Sequence, residues 1–234
     1  LSPTNEGDAD FMLDLTHILD GHAGEEHNLP TYPLYKDVVQ LVAQSGVAYT
    51  PALIITYGGP NLQEYFTSRY DMYAEPKLRR FWPREYMESK AASAQWRRDS
   101  LYAFPDFARE AAKIAAAGGR VAVGAHGQLQ GIGYHFEMWG LAMGGMPAHS
   151  ILRSATIVGA SAMGHSRDLG SLEVGKLADL QILDRNPLED IRNSNTVRQV
   201  MKNGRLYEAE TLDELWPRKR MLPTSQWWMA GERR

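Results

Sequence analysis

LYKDVVQLVAQSGVAYTPALIIT (34–56) is the stretch that decides the fold class, because it places a helix directly before a buried strand. Its first part, 34–46, has apolar side chains at helical spacing and a glycine, Gly46, where the predicted helix ends. Its second part, 47–56, is rich in β-branched residues and almost continuously apolar, which is typical of a strand buried on both faces. The stretch therefore predicts one helix–strand unit of a parallel sheet.

The same alternation repeats on either side of this unit. Helical spacing predicts one helix over 8–21 and another over 105–119, and RVAVGA (120–125) predicts a further short strand. Strands that alternate with helices indicate an α/β fold. The intervening region 57–103 is rich in Tyr, Arg, Trp, Pro and Glu and lacks sustained periodicity, so we interpret it as an insertion.

The C-terminal third of the chain has a different pattern. Helices are predicted over 131–145 and 147–164, and strands over 177–184 and 197–208. These two strands are predicted to lie around an Asn-Gly turn, Asn203–Gly204. The last residues, from Trp216 to the C-terminus, are predicted to form an irregular arm.

Composition excludes several classes of protein. The chain has 234 residues, a formal net charge of −3 and no cysteine. Near-neutral charge predicts no nucleic-acid partner and no anionic membrane surface. The absence of cysteine rules out disulfides, thiolate metal sites and a cysteine nucleophile. No apolar run of about 18 residues is present, so no membrane span is predicted. The opening LSPTNEGDAD (1–10) has neither an export signal nor an initiator Met, and we expect the chain to begin inside a larger protein.

Three side chains stand at places where strands could end and loops begin. They are Glu6 in TNEG before the first helix, His27 at the end of the short segment GEEH, and His126 directly after RVAVGA. Functional groups of parallel α/β proteins gather at this edge, and imidazole nitrogens and carboxylate oxygens suit a divalent metal such as zinc. The spacing by itself is also compatible with ordinary hydrogen-bonding histidines. His135 and Glu137 follow the last parallel strand and are further candidates to face a site.

The most specific pattern is ILRSATIVGASAMGHSRDLGSLEVGKLADLQILDRNPLEDI (151–191), followed by VRQVMKNGRLY (197–207). It resembles the C-terminal end of the metal-dependent amidohydrolase superfamily, in its imidazolonepropionase- and prolidase-like branch. The matching elements, in chain order, are Ser154–Ala155–Thr156, Gly170 to Leu172, Gly175, Ala178–Asp179–Leu180, Leu183–Asp184 and Val197 to Gly204.

The resemblance implies the C-terminal half of a (β/α)₈ TIM barrel, strands five to eight, plus strands of a small β-sandwich domain. Residues 1–164 would be the barrel part, interrupted at 57–103, and 165–215 would return to the sandwich, with 216–234 as the arm. Without the insertion and the C-terminal region, about 120 residues remain, which is enough for about four βα units. The missing N-terminal half is expected from another chain, a longer precursor or a homo-oligomer.

The resemblance also assigns roles to the strand-end residues. His27 corresponds to the metal-binding His of strand six, and Glu6 stands where the family has a second His on strand five. His126 replaces the strand-eight Asp that in the family binds metal and transfers protons, so it is the candidate both for metal binding and for catalysis. His135 and Tyr57 are the candidate substrate contacts, and the insertion would form a lid.

The function implied is hydrolysis of an amide, cyclic amide or peptide-like C–N bond with one or two divalent metal ions, zinc being the expected metal. The substrate would be a small molecule or peptide-like. The alternative is a catalytically inactive scaffold or interaction module that has lost the metal, which the replaced Asp and the missing strand-one His pair favour. The compartment is not determined. Relatives fused behind a β-propeller lead us to expect a soluble part of a larger periplasmic or secreted protein.

Overall fold

The computed structural model describes residues 3–7, 9–57, 59–92 and 94–223. Two four-stranded sheets and a series of helices make up this part of the chain. In chain order the helices are α1 (Phe11–Leu19), α2 (Lys36–Ser45), α3 (Leu62–Thr67), α4 (Pro76–Phe81), α5 (Arg84–Ala92), α6 (Phe104–Ala116), α7 (Ile132–Met143), α8 (Ala148–Arg153) and α9 (Gly159–Ala162). None of these helices has the length and apolar character needed to cross a membrane.

The first sheet is parallel throughout, as the alternating pattern predicts. Its strands are β1 (Thr4–Asn5), β2 (Gly24–Glu26), β3 (Ala48–Thr50) and β4 (Arg120–Val121), and they lie side by side in chain order. Helix α1 connects β1 to β2, α2 connects β2 to β3, and α6 precedes β4. The mixed α/β class is therefore confirmed.

The buried strand predicted over 47–56 is wrong in length. Strand β3 ends at Thr50, and a 3-10 turn at Leu53–Ile55 follows it. Pro51 has no N–H to donate to a sheet ladder, and Ala52 has a left-handed backbone with φ of 46°. The strand predicted over 120–125 is shortened in the same way, because regular pairing stops at Val121.

The region 57–103 is an integral part of the core. It forms α3, α4, α5 and connecting turns, and its Phe66 ring stacks on Phe136 of α7 with the ring centroids 4.4 Å apart. Trp82 is also buried and donates from Nε1 to the carbonyl of Gln130 at 3.0 Å. The insertion thus anchors itself on α7 and on the loop before it.

The second sheet is antiparallel, with β5 (Leu180–Leu183), β6 (Val197–Lys202), β7 (Arg205–Glu208) and β8 (Glu214–Trp216) in chain order. The Asn203–Gly204 turn connects β6 to β7, and both turn residues have positive φ, as a two-residue hairpin of this type requires.

Two C-terminal predictions need correction. The hairpin lies within 197–208, whereas the segment before it contributes the separate strand β5. The predicted irregular arm begins as regular structure, because Trp216 ends β8 and Arg220 pairs with Glu214 through two backbone hydrogen bonds. Residues 224–234 of that predicted arm lie outside the described residues.

Candidate metal centre

The carboxyl ends of the parallel strands bring three distant residues together. Glu6 follows β1, His27 follows β2, and His126 lies in the loop after β4. The backbone N–H of His27 donates to the carbonyl of Thr50 at 2.7 Å, which continues the pairing of β2 with β3 to the position of the imidazole. The three candidates chosen from the sequence are therefore neighbours at one edge of the sheet.

Their geometry suits a metal ion. One potential ligand atom from each residue lies within 4.8 Å of the other two. Glu6 Oε1 is 3.3 Å from Nε2 of His27 and 3.7 Å from Nε2 of His126. Tetrahedral zinc ligands about 2.0–2.1 Å from the ion would be about 3.3 Å apart, so the cluster needs only a small adjustment of its side chains.

The two histidines differ in their surroundings. His27 is only 4% exposed, whereas His126 is 41% exposed and Glu6 is 77% exposed. The His27 ring packs against both His126 and Tyr57, with centroid distances of 5.1 and 5.3 Å. Packing therefore holds the His27 imidazole firmly and leaves the side chains of His126 and Glu6 adjustable and open to solvent.

Both histidines have a left-handed backbone, with φ of 78° at His27 and 49° at His126. This conformation costs a non-glycine residue about 1–2 kcal/mol, and such strain is typical of functional sites. It occurs here directly after β2 and in the loop after β4, where the two imidazoles turn toward Glu6. The sheet therefore tolerates backbone strain at the residues that form the cluster.

The donor chemistry fits a divalent cation. Nε2 of His27 points to Glu6, while its Nδ1 is buried and has no hydrogen-bond partner among the described residues. A neutral imidazole protonated at Nδ1 leaves Nε2 free to bind a metal. Two imidazoles and a carboxylate form a ligand set found in zinc enzymes.

Gly7 lets the chain after β1 approach the chain after β2. Its φ is 79°, and a Cβ at this position would lie 2.2 Å from the carbonyl oxygen of Glu26. Gly21 provides a matched comparison, because its φ is 82° and an added Cβ would meet no atom within 4 Å.

We expect Gly7→Ala to destabilise the protein more than Gly21→Ala and to weaken metal binding. Both substitutions incur the conformational cost of a left-handed alanine, about 1–2 kcal/mol. Only the first also pushes on the Glu26 carbonyl and displaces Glu6. Urea unfolding and zinc titration of the two variants measure the effects, and equal behaviour of the two would contradict this account of Gly7.

Strand alternation separates the two adjacent glutamates of β2. Glu25 is 1% exposed, and Asn5 Nδ2 lies 3.3 Å from each of its carboxylate oxygens. Burial raises the pKa of Glu25 to about 8. Glu26 points to the opposite side of the strand, where burial raises its pKa, a hydrogen bond from Thr50 opposes that rise, and the nearby charge of Glu6 adds to it.

Glu26 is a residue that the sequence reasoning missed. Its carboxylate is electrostatically coupled to both Glu6 and His27, so it belongs to the polar surroundings of the cluster. Its position one residue before His27 was the feature of the sequence that could have identified it. Of the predicted substrate contacts, Tyr57 does lie at the cluster, against the His27 ring.

His135 is not part of the cluster. It lies on α7, where its Nδ1 is 3.0 Å from Ser194 Oγ, and it lines an apolar cavity of about 260 Å³ with Lys77 and Trp82. Burial, and then the charge of Lys77, lower its pKa to about 4. Glu137 likewise does not face the cluster, because it is fully buried and bonded to the backbone after β3.

The lowered pKa of His135 predicts a pH dependence of stability. From pH 6.5, the ordinary pKa, down to about 4, the unfolded chain binds a proton that the folded chain does not, so the folded state loses stability as the pH falls. His135→Gln keeps a hydrogen-bonding group near Ser194 and removes this titration. Thermal unfolding across that range should therefore show a shallower acid decline for the variant, and an unchanged slope would contradict the assignment.

Comparison with known proteins decides the family. The model of the amidohydrolase family matches residues 15–207. The chain belongs to this family. A search of curated proteins finds no match.

Several solved structures share the fold. A Xaa-Pro dipeptidase with methionine bound in its active site is 28% identical over 83% of this chain, with a TM-score of 0.56. A prolidase complexed with N-methylphosphonate-L-proline is 25% identical over 85% of the chain, with a TM-score of 0.52. Ochratoxinase from A. niger is 20% identical over 88%, with a TM-score of 0.54. The chain spans only 41–43% of the length of these three proteins.

Proposed function

We propose that this amidohydrolase chain supplies part of the centre of a metal-dependent hydrolase that cleaves amide or peptide-like C–N bonds. The observation that carries the proposal is the meeting of Glu6, His27 and His126 at the carboxyl ends of parallel strands. Active sites of (β/α)₈ enzymes occupy this face of the barrel. Zinc is the proposed metal, because imidazole and carboxylate ligands without sulfur suit it.

We infer that β1 to β4 are strands five to eight of a TIM barrel. Three features support this. The four strands are parallel and in chain order, β1 and β4 each pair with only one neighbour in the described part of the chain, and the chain spans only 42% of the length of the solved Xaa-Pro dipeptidase. An open parallel edge leaves backbone groups available for further strands. The complementary strands would come from a longer precursor, another chain or a second copy of this chain.

The proposed roles of the residues in this chain are as follows. Glu6, His27 and His126 would hold the cation, which when bound polarises a scissile carbonyl and lowers the pKa of water. His126 is less buried than His27 and can accept a proton as a neutral imidazole, and in this role it would take the place of the usual Asp. Tyr57 would line the substrate side of His27.

The substrate class is proposed from two relatives. The proteins at 28% and 25% identity are a Xaa-Pro dipeptidase and a prolidase. Both names describe cleavage of a bond to proline, so dipeptides ending in proline are the first substrates to test. Tyr57, the first residue of the insertion, lies against His27 and would form part of the wall for such a peptide.

The test combines metal analysis of this chain with an activity assay on the chain assembled with its complementary strands. We expect stoichiometric zinc, manganese or iron after loading, and cleavage of Met-Pro that a chelator abolishes and added metal restores. A chain that binds no divalent metal would overturn the hydrolase proposal and leave the inactive scaffold. Light scattering tests the half barrel separately, because a monomer that unfolds cooperatively without a partner would contradict it.

A further inference from the structure

A second cavity, of about 350 Å³, lies where the insertion, α7 and the segment before β6 meet. It shares no residue with the cluster of Glu6, His27 and His126. Its volume lies in the range of small-molecule pockets, about 300–1,000 Å³. Nothing in the proposed hydrolase function uses it.

Positive charge dominates the lining. Arg69, Arg185 and Arg192 contribute guanidinium groups, and Glu75 contributes the one carboxylate among the described lining residues. The Glu75 carboxylate is already engaged, because the Tyr70 hydroxyl donates to it. Arg69 is paired with Asp99 at 2.6 Å.

Arg185 and Arg192 are different. Both are exposed, and neither has a carboxylate within ion-pair distance in the described part of the chain. Two arginines without an acidic partner, on the wall of one concave site, leave a net positive charge that an anionic ligand would neutralise. Guanidinium groups bind carboxylates in a planar, two-point geometry.

Aromatic side chains form another part of the lining. Trp139 and Tyr70 lie with their ring centroids 5.9 Å apart, and the Cζ atom of Arg192 lies 5.9 Å from the Trp139 ring. The indole Nε1 of Trp139 donates to Ser194 Oγ at 3.1 Å, which fixes the ring. A preformed aromatic wall lowers the ordering cost of binding a flat molecule.

We propose that this cavity is a binding site for a small aromatic carboxylate. The carboxylate pairs with Arg185 and Arg192, and the flat body lies against Trp139 and Tyr70. Charge selects the anion, and the aromatic wall selects its shape. A neutral molecule of the same shape lacks the first interaction, and inorganic phosphate lacks the second.

The test uses indole-3-carboxylate as the probe, with indole-3-carboxamide and inorganic phosphate as comparisons, in NMR or calorimetric titrations of the full chain. We expect the carboxylate to bind at least about tenfold more tightly than either comparison, since hydrogen bonds between two ionised groups are stronger than those to a neutral amide. Arg192→Gln and Arg185→Gln should each weaken binding by a similar factor. Arg167→Gln, an exposed arginine outside the cavity, is the control and should not.

Two further variants sharpen the result. Glu75→Gln removes the lining carboxylate and should tighten binding of the carboxylate probe severalfold, while leaving the carboxamide unchanged. His27→Ala and treatment with a chelator should leave probe binding unchanged, which separates this site from the metal cluster. Equal affinity for carboxylate and carboxamide, tight binding of phosphate alone, or no effect of either arginine substitution would overturn the proposal.

Discussion

His27→Ala is expected to lower the affinity of the chain for Zn²⁺ by at least about 100-fold, because loss of groups that merely support a ligand already costs about 10–100-fold. His27 is the one member of the cluster held in the interior, at 4% exposure, and its Nε2 lies 3.3 Å from Glu6 Oε1. The remaining Glu6 and His126 are exposed side chains whose positions the fold restrains less.

Calorimetric titration with Zn²⁺ measures this effect. His149→Ala is the matched control, because His149 is exposed on α8 and is not one of the three clustered residues. We expect the control to bind zinc as the unmodified chain does. Loss of affinity in both variants, or in neither, would show that zinc binds elsewhere.

The second large effect concerns Glu137 and the loop after β3. The carboxylate of Glu137 is fully buried and accepts the backbone N–H groups of Leu53 and Ile54, at 2.7 and 2.9 Å. Glu137→Ala removes both acceptors and leaves two donors facing an apolar space. Each unsatisfied buried donor costs about 1–3 kcal/mol, so we expect the free energy of unfolding to fall by about 2–6 kcal/mol.

Urea unfolding of Glu137→Ala checks this value, and Glu85→Ala, at an exposed position on α5, is the control. We expect the control to change stability by less than about 1 kcal/mol, even with the favourable helix N-terminal position of Glu85. A small loss of stability in Glu137→Ala would mean that the N–H groups of the loop bind other hydrogen-bond acceptors.

Glu137 also predicts a pH dependence of the opposite sign to that of His135. Burial raises its pKa from 4.5 to about 8, against the two backbone hydrogen bonds that lower it. Between these two pH values the folded chain retains a proton that the unfolded chain releases, so stability falls as the pH rises. The stability of the Glu137→Ala variant should therefore not show this decline with rising pH.

The role of Glu137 could not be predicted from the sequence. As a polar residue following β4, it was a candidate to face a site. In the structure, regular strand pairing stops at Pro51 and the left-handed Ala52. The Glu137 side chain accepts hydrogen bonds from the N–H groups of Leu53 and Ile54, which follow that interruption. This role depends on α7 packing over residues about 80 positions earlier, which no local pattern encodes.

Local patterns were sufficient for the mixed α/β class, for the positions of β3 and β4 and for the Asn203–Gly204 turn, because spacing and turn chemistry are local properties. Strand β1 followed only from the family resemblance. The choice of Glu6, His27 and His126 followed from the rule that parallel strands end at one edge, together with the family resemblance. The tertiary structure decided which candidates meet. It placed Glu6 beside both imidazoles, whereas His135 lines a separate apolar cavity. Sequence patterns do not encode this difference, since contacts between distant segments depend on how helices pack on the sheet.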